Sequence, residues 1–130
     1  MIAPARHAAF TALAEVEAGH RTLPDAVAWL RRHLDDARDV ALATDIAIGA
    51  IRWRGTIDLL LAQLSSRPLD TLDAPLLRAL RLSAYQLLHL DRVPASAVVH
   101  DGVALAKAHA GPGAGGFANA LLRRLATPDR

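Results

Sequence analysis

Cysteine is absent from this 130-residue chain. That excludes disulfides, thiolate metal sites and a cysteine nucleophile within it. Aromatic residues make up only 4% of the sequence, and there are 7 Val and 5 Ile, so a β-rich fold lacks its usual material. No uninterrupted apolar run reaches the roughly 18 residues that a membrane-spanning helix needs. The first ten residues contain Arg6 and His7 but no apolar signal core after them. Secretion is therefore not expected, and a cytoplasmic protein is. Lysine is nearly missing: Lys107 stands alone beside 14 arginines.

What the chain does have is alanine and leucine, 28 and 22 residues of 130. These are the best apolar helix formers, and a hydrophobic share of 52% can fill a core. Pro4 suits the first turn of a helix carrying Ala8, Ala9, Ala12, Leu13 and Val16, stopped at Gly19. A second helix begins near Leu23-Pro24-Asp25 and carries Val27, Leu30 and Leu34. Asp35 or Asp36 caps a third, with Val40, Thr44, Ala47, Ile48 and Ile51 as its buried stripe. The pattern runs on through Trp53 to Leu64, with a bend at Gly55. After the break at Ser65-Ser66-Arg67-Pro68, Asp73 and Pro75 start a helix to about Leu90, and Pro94 opens one to about His109. The glycine-rich stretch Gly111 to Gly116 reads as the loosest part of the chain, followed by a helix carrying Phe117, Leu121, Leu122 and Leu125. Six or seven helices, no strand and short connections predict a compact all-α bundle. It is read as a single domain over residues 1–130, with 127–130 beginning a linker or tail.

Charge is uneven along the chain. Residues 1–73 hold 8 basic and 10 acidic side chains, and residues 74–130 hold 7 and 3. An acidic front and a basic back point to an anionic partner for the second half, or to chance unevenness of a solvated surface.

The candidate chemical sites are sparse. Gly111, Gly113 and Gly116 spell G-x-G-x-x-G, but a helix precedes them where a dinucleotide fold needs a strand. A helix–helix connector is the plainer reading, and a phosphate held on the amides that open the last helix is a third. Six histidines (His7, His20, His33, His89, His100 and His109) show no four-residue helical spacing, so no metal site is expected. His100 and Asp101 are adjacent, which directs their side chains apart on a helix. G-x-S-x-G is missing, and no other catalytic constellation is visible. Arg78, Arg81, Tyr85 and His89 share one side of a helix. That side suits phosphates and stacked bases of single-stranded RNA, or an Arg–Tyr pair supporting the fold, the commoner use. In Arg52-Trp53-Arg54 the indole reads as core with the arginines turned outward. Arg123-Arg124 falls in a last helical turn. Arg6 and His7 read as exposed.

Several stretches in order resemble the NusB family. They are Ala5-Arg6 with Ala9 and Leu13, Gly49-Ala50-Ile51-Arg52-Trp53, Leu80 through Leu88, Asp91-Arg92-Val93-Pro94, Val103 through Lys107, and Gly116 through Arg124. Arg52-Trp53, Tyr85-Gln86-Leu87-Leu88 and Asn119 through Arg123 look like one branch, the NusB-like N-terminal domain of RsmB/Sun-type rRNA cytosine-5 methyltransferases. The chain departs from the family at His100-Asp101, where Asn-Glu is common, and at Gly102, where Ala is common. The resemblance implies an all-helical fold of two small antiparallel sub-bundles that binds RNA, rRNA first of all. It makes Arg6, Arg81, Arg123 and Arg124 the foremost expected RNA contacts, followed by Lys107 and Tyr85. In those methyltransferases the S-adenosylmethionine site and two cysteines lie in a downstream domain. No cofactor and no catalytic residue are therefore expected in this chain, and a methyltransferase domain is one expected partner. The alternative is a stand-alone antitermination factor that regulates transcription by binding RNA together with a ribosomal protein.

Overall fold

A computed structural model describes residues 1–127; the remainder of the expected tail, 128–130, lies outside them. The elements are α1 (Pro4–Glu17), α2 (Leu23–His33), α3 (Ala37–Arg52), α4 (Arg54–Leu64), a 3₁₀ turn (Leu69–Thr71), α5 (Ala74–His89), α6 (Ala95–Ala110) and α7 (Pro112–Ala126). No strand occurs among the described residues. Helices α1, α2 and α3 pack on one another, as do α5, α6 and α7, with α4 against α5 and α7; α5 also touches α1 and α3 and so joins the two groups. This is the expected all-α architecture of two sub-bundles.

Local chemistry sets the helix starts. Thr22 Oγ1 accepts from the Asp25 amide at 3.2 Å, and Asp36 Oδ1 from the Arg38 amide at 2.7 Å, each satisfying an amide that the helix itself leaves free. Of the two candidate caps for α3, Asp36 takes the position. Asp25 in the first turn of α2 and Arg31, Arg32 and His33 in its last complement the helix dipole.

Two expectations about helix ends are corrected. The third helical pattern does not bend at Gly55; it breaks at Trp53, which ends α3 and starts α4. The glycine stretch is not a loose connector either. Only Gly111 turns the chain, at φ +97°, a conformation side-chain-bearing residues avoid, and α7 begins at the next residue. Gly113, Gly115 and Gly116 are helical, and a methyl carbon at Gly115 would lie 3.1 Å from Lys107 Cβ. Gly111 and Gly115 thus serve a close α6–α7 hairpin, and the amides of Ala114 and Gly115 already donate to the Gly111 carbonyl.

The core is built mainly from alanine and leucine. Leu30, Ile46, Ile57, Leu61, Leu80, Leu82, Leu105 and Leu122 are completely or almost completely enclosed, and each such side chain stabilises the fold by roughly 1.5–3 kcal/mol. The expected stripe of α3 is out of phase. Ala43, Ile46, Ala47, Gly49 and Ala50 face inward, while Ile51 is exposed. Small residues on that face let α3 approach α1 and α5 closely, and bulkier neighbours fall to the rim.

Gly102 has the same logic. A methyl carbon there would collide with Ser83 Oγ on α5 and come within 2.9 Å of Leu122 Cδ1 on α7. Ser83 Oγ is itself buried with no hydrogen-bond partner among the described residues, a state that costs about 1–3 kcal/mol. Ser83→Ala is therefore expected to stabilise the chain, and Gly102→Ala to destabilise it. In the Ser83→Ala background, Gly102→Ala should cost less, with the Leu122 contact remaining, a coupling of about 1 kcal/mol or more in a urea double-mutant cycle. Purely additive effects would show that the hydroxyl does not hold this position open.

Candidate nucleic-acid interface

The residues singled out from the sequence do not converge on one place. Arg6 is 6% exposed, which corrects its reading as a surface cation. Its Nε donates to Gln86 Oε1 at 2.8 Å and its Nη1 to Asp101 Oδ2 at 2.9 Å. The signal was present in the sequence: Arg6, Phe10 and Leu13 stand at i, i+4 and i+7, one helix face. His7, one residue on, is exposed.

Asp101 is the residue the sequence reading undervalued. It is 4% exposed and joins three groups: Arg6, the Ala3 amide at the start of α1 at 3.1 Å, and His100 Nδ1 at 3.1 Å. The expectation that His100 and Asp101 point apart is thus corrected. An imidazole at the rim of α6 reaches across to a carboxylate whose other oxygen faces inward. Burial pushes the Asp101 carboxyl up, but the hydrogen bonds from His100, the Ala3 amide and Arg6, with the charge of Arg6, outweigh it. The group titrates below the usual carboxylate value.

Arg81 makes a two-pronged ion pair with Asp58, Nε to Oδ1 and Nη2 to Oδ2, both at 2.9 Å. Arg78 closes on Glu17 Oε1 at 3.1 and 2.8 Å. These pairs explain much of the uneven charge. Arg78 and Arg81 from the basic half meet Glu17 and Asp58 from the acidic half, and Arg6 meets Asp101 in the reverse sense. Part of the contrast along the sequence is internal neutralisation between halves that fold against each other.

Tyr85 is also enclosed. Its hydroxyl donates to Asp45 Oδ1 at 2.5 Å, and a methyl carbon at Gly49 would fall inside its ring. Burial, the hydrogen bond to Asp45 and that carboxylate's charge push the phenol up to about 12, against the opposing charge of Arg52. It remains a donor at neutral pH. Arg81 and Tyr85 therefore occupy fold-supporting places.

Lys107, Arg123 and Arg124 are exposed. Arg123 Nε donates to Asn119 Oδ1 at 2.9 Å, one turn back on α7, and lines a groove with Ser96, Val99 and His100. Arg124 Nη1 donates to the Leu64 carbonyl at 2.7 Å, satisfying the end of α4. Arg67 lies over the Phe117 ring at 5.6 Å. Lys107 sits against Gly115 at the other end of the hairpin, about 12 Å from the Arg123 turn by helix rise.

Trp53 is the second residue the sequence misplaced. It is 41% exposed, not core. Its amide donates to the Gly49 carbonyl and its carbonyl accepts from the Ile57 amide, both at 2.9 Å, so both helices hold it. Its ring lies 4.8 Å from that of His89, which stacks on Tyr85 at 5.0 Å. Arg52 and Arg54 flank it and are exposed. From His89 a groove of about 590 Å³ continues past Arg38, Asp45, Asp91 and Arg92. The periodicity of α3 could not show this, because the helix ends where its stripe would have turned Trp53 inward.

No group of three or more metal-ligating side chains gathers among the described residues. Among the described residues no helix is long and apolar enough to cross a membrane.

Fold and surface together define an all-α domain of two helical sub-bundles, with exposed cations on α3, α4, α6 and α7 and an exposed indole at the α3–α4 break. The NusB family profile matches residues 3–127, and the chain belongs to that family. Ribosomal RNA small subunit methyltransferase B of Pseudomonas putida is 40% identical over 121 residues, which cover 92% of this chain and 27% of that protein. Transcription antitermination protein NusB of Nitrobacter hamburgensis is 32% identical over 133 residues, 94% of this chain and 83% of that protein. The structure of T. maritima NusB superposes with a TM-score of 0.79 at 27% identity, covering 97% of this chain and 92% of that one. The chain spans between about a fifth and somewhat more than a quarter of the curated methyltransferases it matches.

Proposed function

We propose that this chain binds RNA in the cytoplasm, as the rRNA-recognition region of a small-subunit rRNA cytosine-5 methyltransferase. The observation that carries the reading is that many cations stay at the surface once Arg6, Arg78 and Arg81 are paired internally, among them Arg52, Arg54, Arg92, Lys107, Arg123 and Arg124. Guanidinium grips phosphate with two parallel donors. The names of the methyltransferase relatives supply the substrate class. Phosphate contacts position the RNA, and its shape selects it. In this reading Lys107, Arg123 and Arg124 touch RNA directly, while Arg6, Arg81 and Tyr85 hold the helices that present them. The chain has no cysteine, so the role proposed is recognition and not methyl transfer.

Fluorescence anisotropy with an rRNA fragment across salt tests this. The logarithm of affinity should fall linearly with the logarithm of salt, and Lys107→Ala/Arg123→Ala/Arg124→Ala should make the slope shallower by about 2, at roughly 0.7–0.9 per phosphate contact. No binding at low salt, or affinity indifferent to salt, overturns it. The antitermination relative is matched over most of its own length, which favours a second reading: RNA binding shared with a ribosomal protein. A ribosomal protein that stays with the chain after nuclease treatment would select that one.

A further inference from the structure

We infer that Trp53 is a stacking platform for one unpaired base of a single-stranded RNA. The inference deepens the RNA-binding reading and rests on it. A half-exposed indole leaves apolar ring surface in water, yet this one is held in place from three directions. The backbone at Trp53 is bonded into both α3 and α4. Its ring is backed by His89, and His89 by Tyr85. The Tyr85 ring rests on Gly49, with its hydroxyl tied to Asp45. The column runs from the α3–α5 contact out to the surface and ends in an aromatic ring with little freedom left to lose. A base stacking on it would forfeit little side-chain entropy, which is what preorganisation contributes to binding.

The surroundings favour a nucleotide over a protein. Exposed Arg52 ends α3 and exposed Arg54 starts α4, so the two cations next to Trp53 in the chain belong to different helices. That placement suits a strand whose phosphates pass on both sides of a stacked base. The only ion pair either makes among the described residues is the loose one of Arg54 Nε with Asp58 Oδ2 at 3.9 Å, and Asp58 is already gripped by Arg81. The groove beyond His89 adds Arg38 and Arg92. Of its two carboxylates, Asp45 is engaged by Tyr85 and Asp91 is exposed. Stacking on aromatic side chains beside a cationic track is how proteins hold single-stranded nucleic acid, and it is lost when the bases are paired.

The test compares the unmutated chain with Trp53→Ala and Trp53→Phe against a single-stranded RNA and the fully paired duplex of the same sequence. Trp53→Ala should weaken single-strand binding about tenfold and leave duplex binding and the salt slope unchanged. Trp53→Phe should retain most of the affinity. With Trp29→Phe, which leaves Trp53 as the one indole, the single strand should quench tryptophan emission at saturation and the duplex should not, a readout that stands even if Trp53→Ala fails to fold. Full single-strand affinity in Trp53→Ala overturns this inference while the RNA-binding reading survives. Equal losses on single strand and duplex, or absent quenching, overturn it in the same way. No RNA binding by the unmutated chain overturns both.

Discussion

Replacing Asp101 by alanine is expected to destabilise the folded chain by about 3–5 kcal/mol, because it leaves a buried guanidinium without its counter-charge. Arg6 would keep only Gln86, whose own amide nitrogen donates to the Leu82 carbonyl at 2.9 Å, and the Ala3 amide would lose its acceptor. Small domains are stable by about 5–15 kcal/mol in total, so the urea midpoint should fall steeply. Asp101→Asn isolates the charge. The carboxyl titrates below its ordinary value of 3.8 when folded, so its stabilisation is fully present above that value and is lost as pH falls through it toward the folded pKa. The stability gap between the unmutated chain and Asp101→Asn should therefore hold constant at neutral pH and close as pH drops from about 5 through 3.8 and below. A gap that does not change across that window would mean the shape of Asp101 matters and its charge does not.

Gly49→Ala carries the second large effect. In an ordinary helix the change gains about 1 kcal/mol. Here the added methyl would fall inside the Tyr85 ring, and the ring cannot retreat, with its hydroxyl on Asp45 and His89 stacked beside it. Overpacking of this kind costs about 1–3 kcal/mol, occasionally more, and it outweighs the helical gain. Thermal melting should show a lower Tm, and near-ultraviolet circular dichroism should show the aromatic column disturbed. Gly55→Ala is the control: nothing lies within 4 Å of a methyl at that position, so it should be neutral or stabilising by up to about 1 kcal/mol. If both variants behave alike, Gly49 is not where the Tyr85 ring is seated.

The failures of sequence reading share a cause. Arg6 and Asp101 are charged, and charged residues are expected at the surface. Their burial depends on each other, 95 positions apart, which periodicity within one helix does not see. Trp53 is large and apolar, and such a residue is expected inside. The break between α3 and α4 falls on it, so the phase of neither helix decides where its ring goes. The buried stripe of α3 was misread because its inward residues are small and its bulky Ile51 lies outside. Close helix approach rewards small side chains over greasy ones.

The sequence by itself determined the order of the helices, the proline-marked starts of several and the absence of thiol chemistry, because those follow from local propensity, from 3.6-residue spacing and from composition. Only the tertiary structure decided which arginines are left for a partner and which are spent inside, and which aromatic ring reaches the surface. An ion pair or a stack forms between side chains whose positions are set by the packing of two helices, and no single helix carries that information.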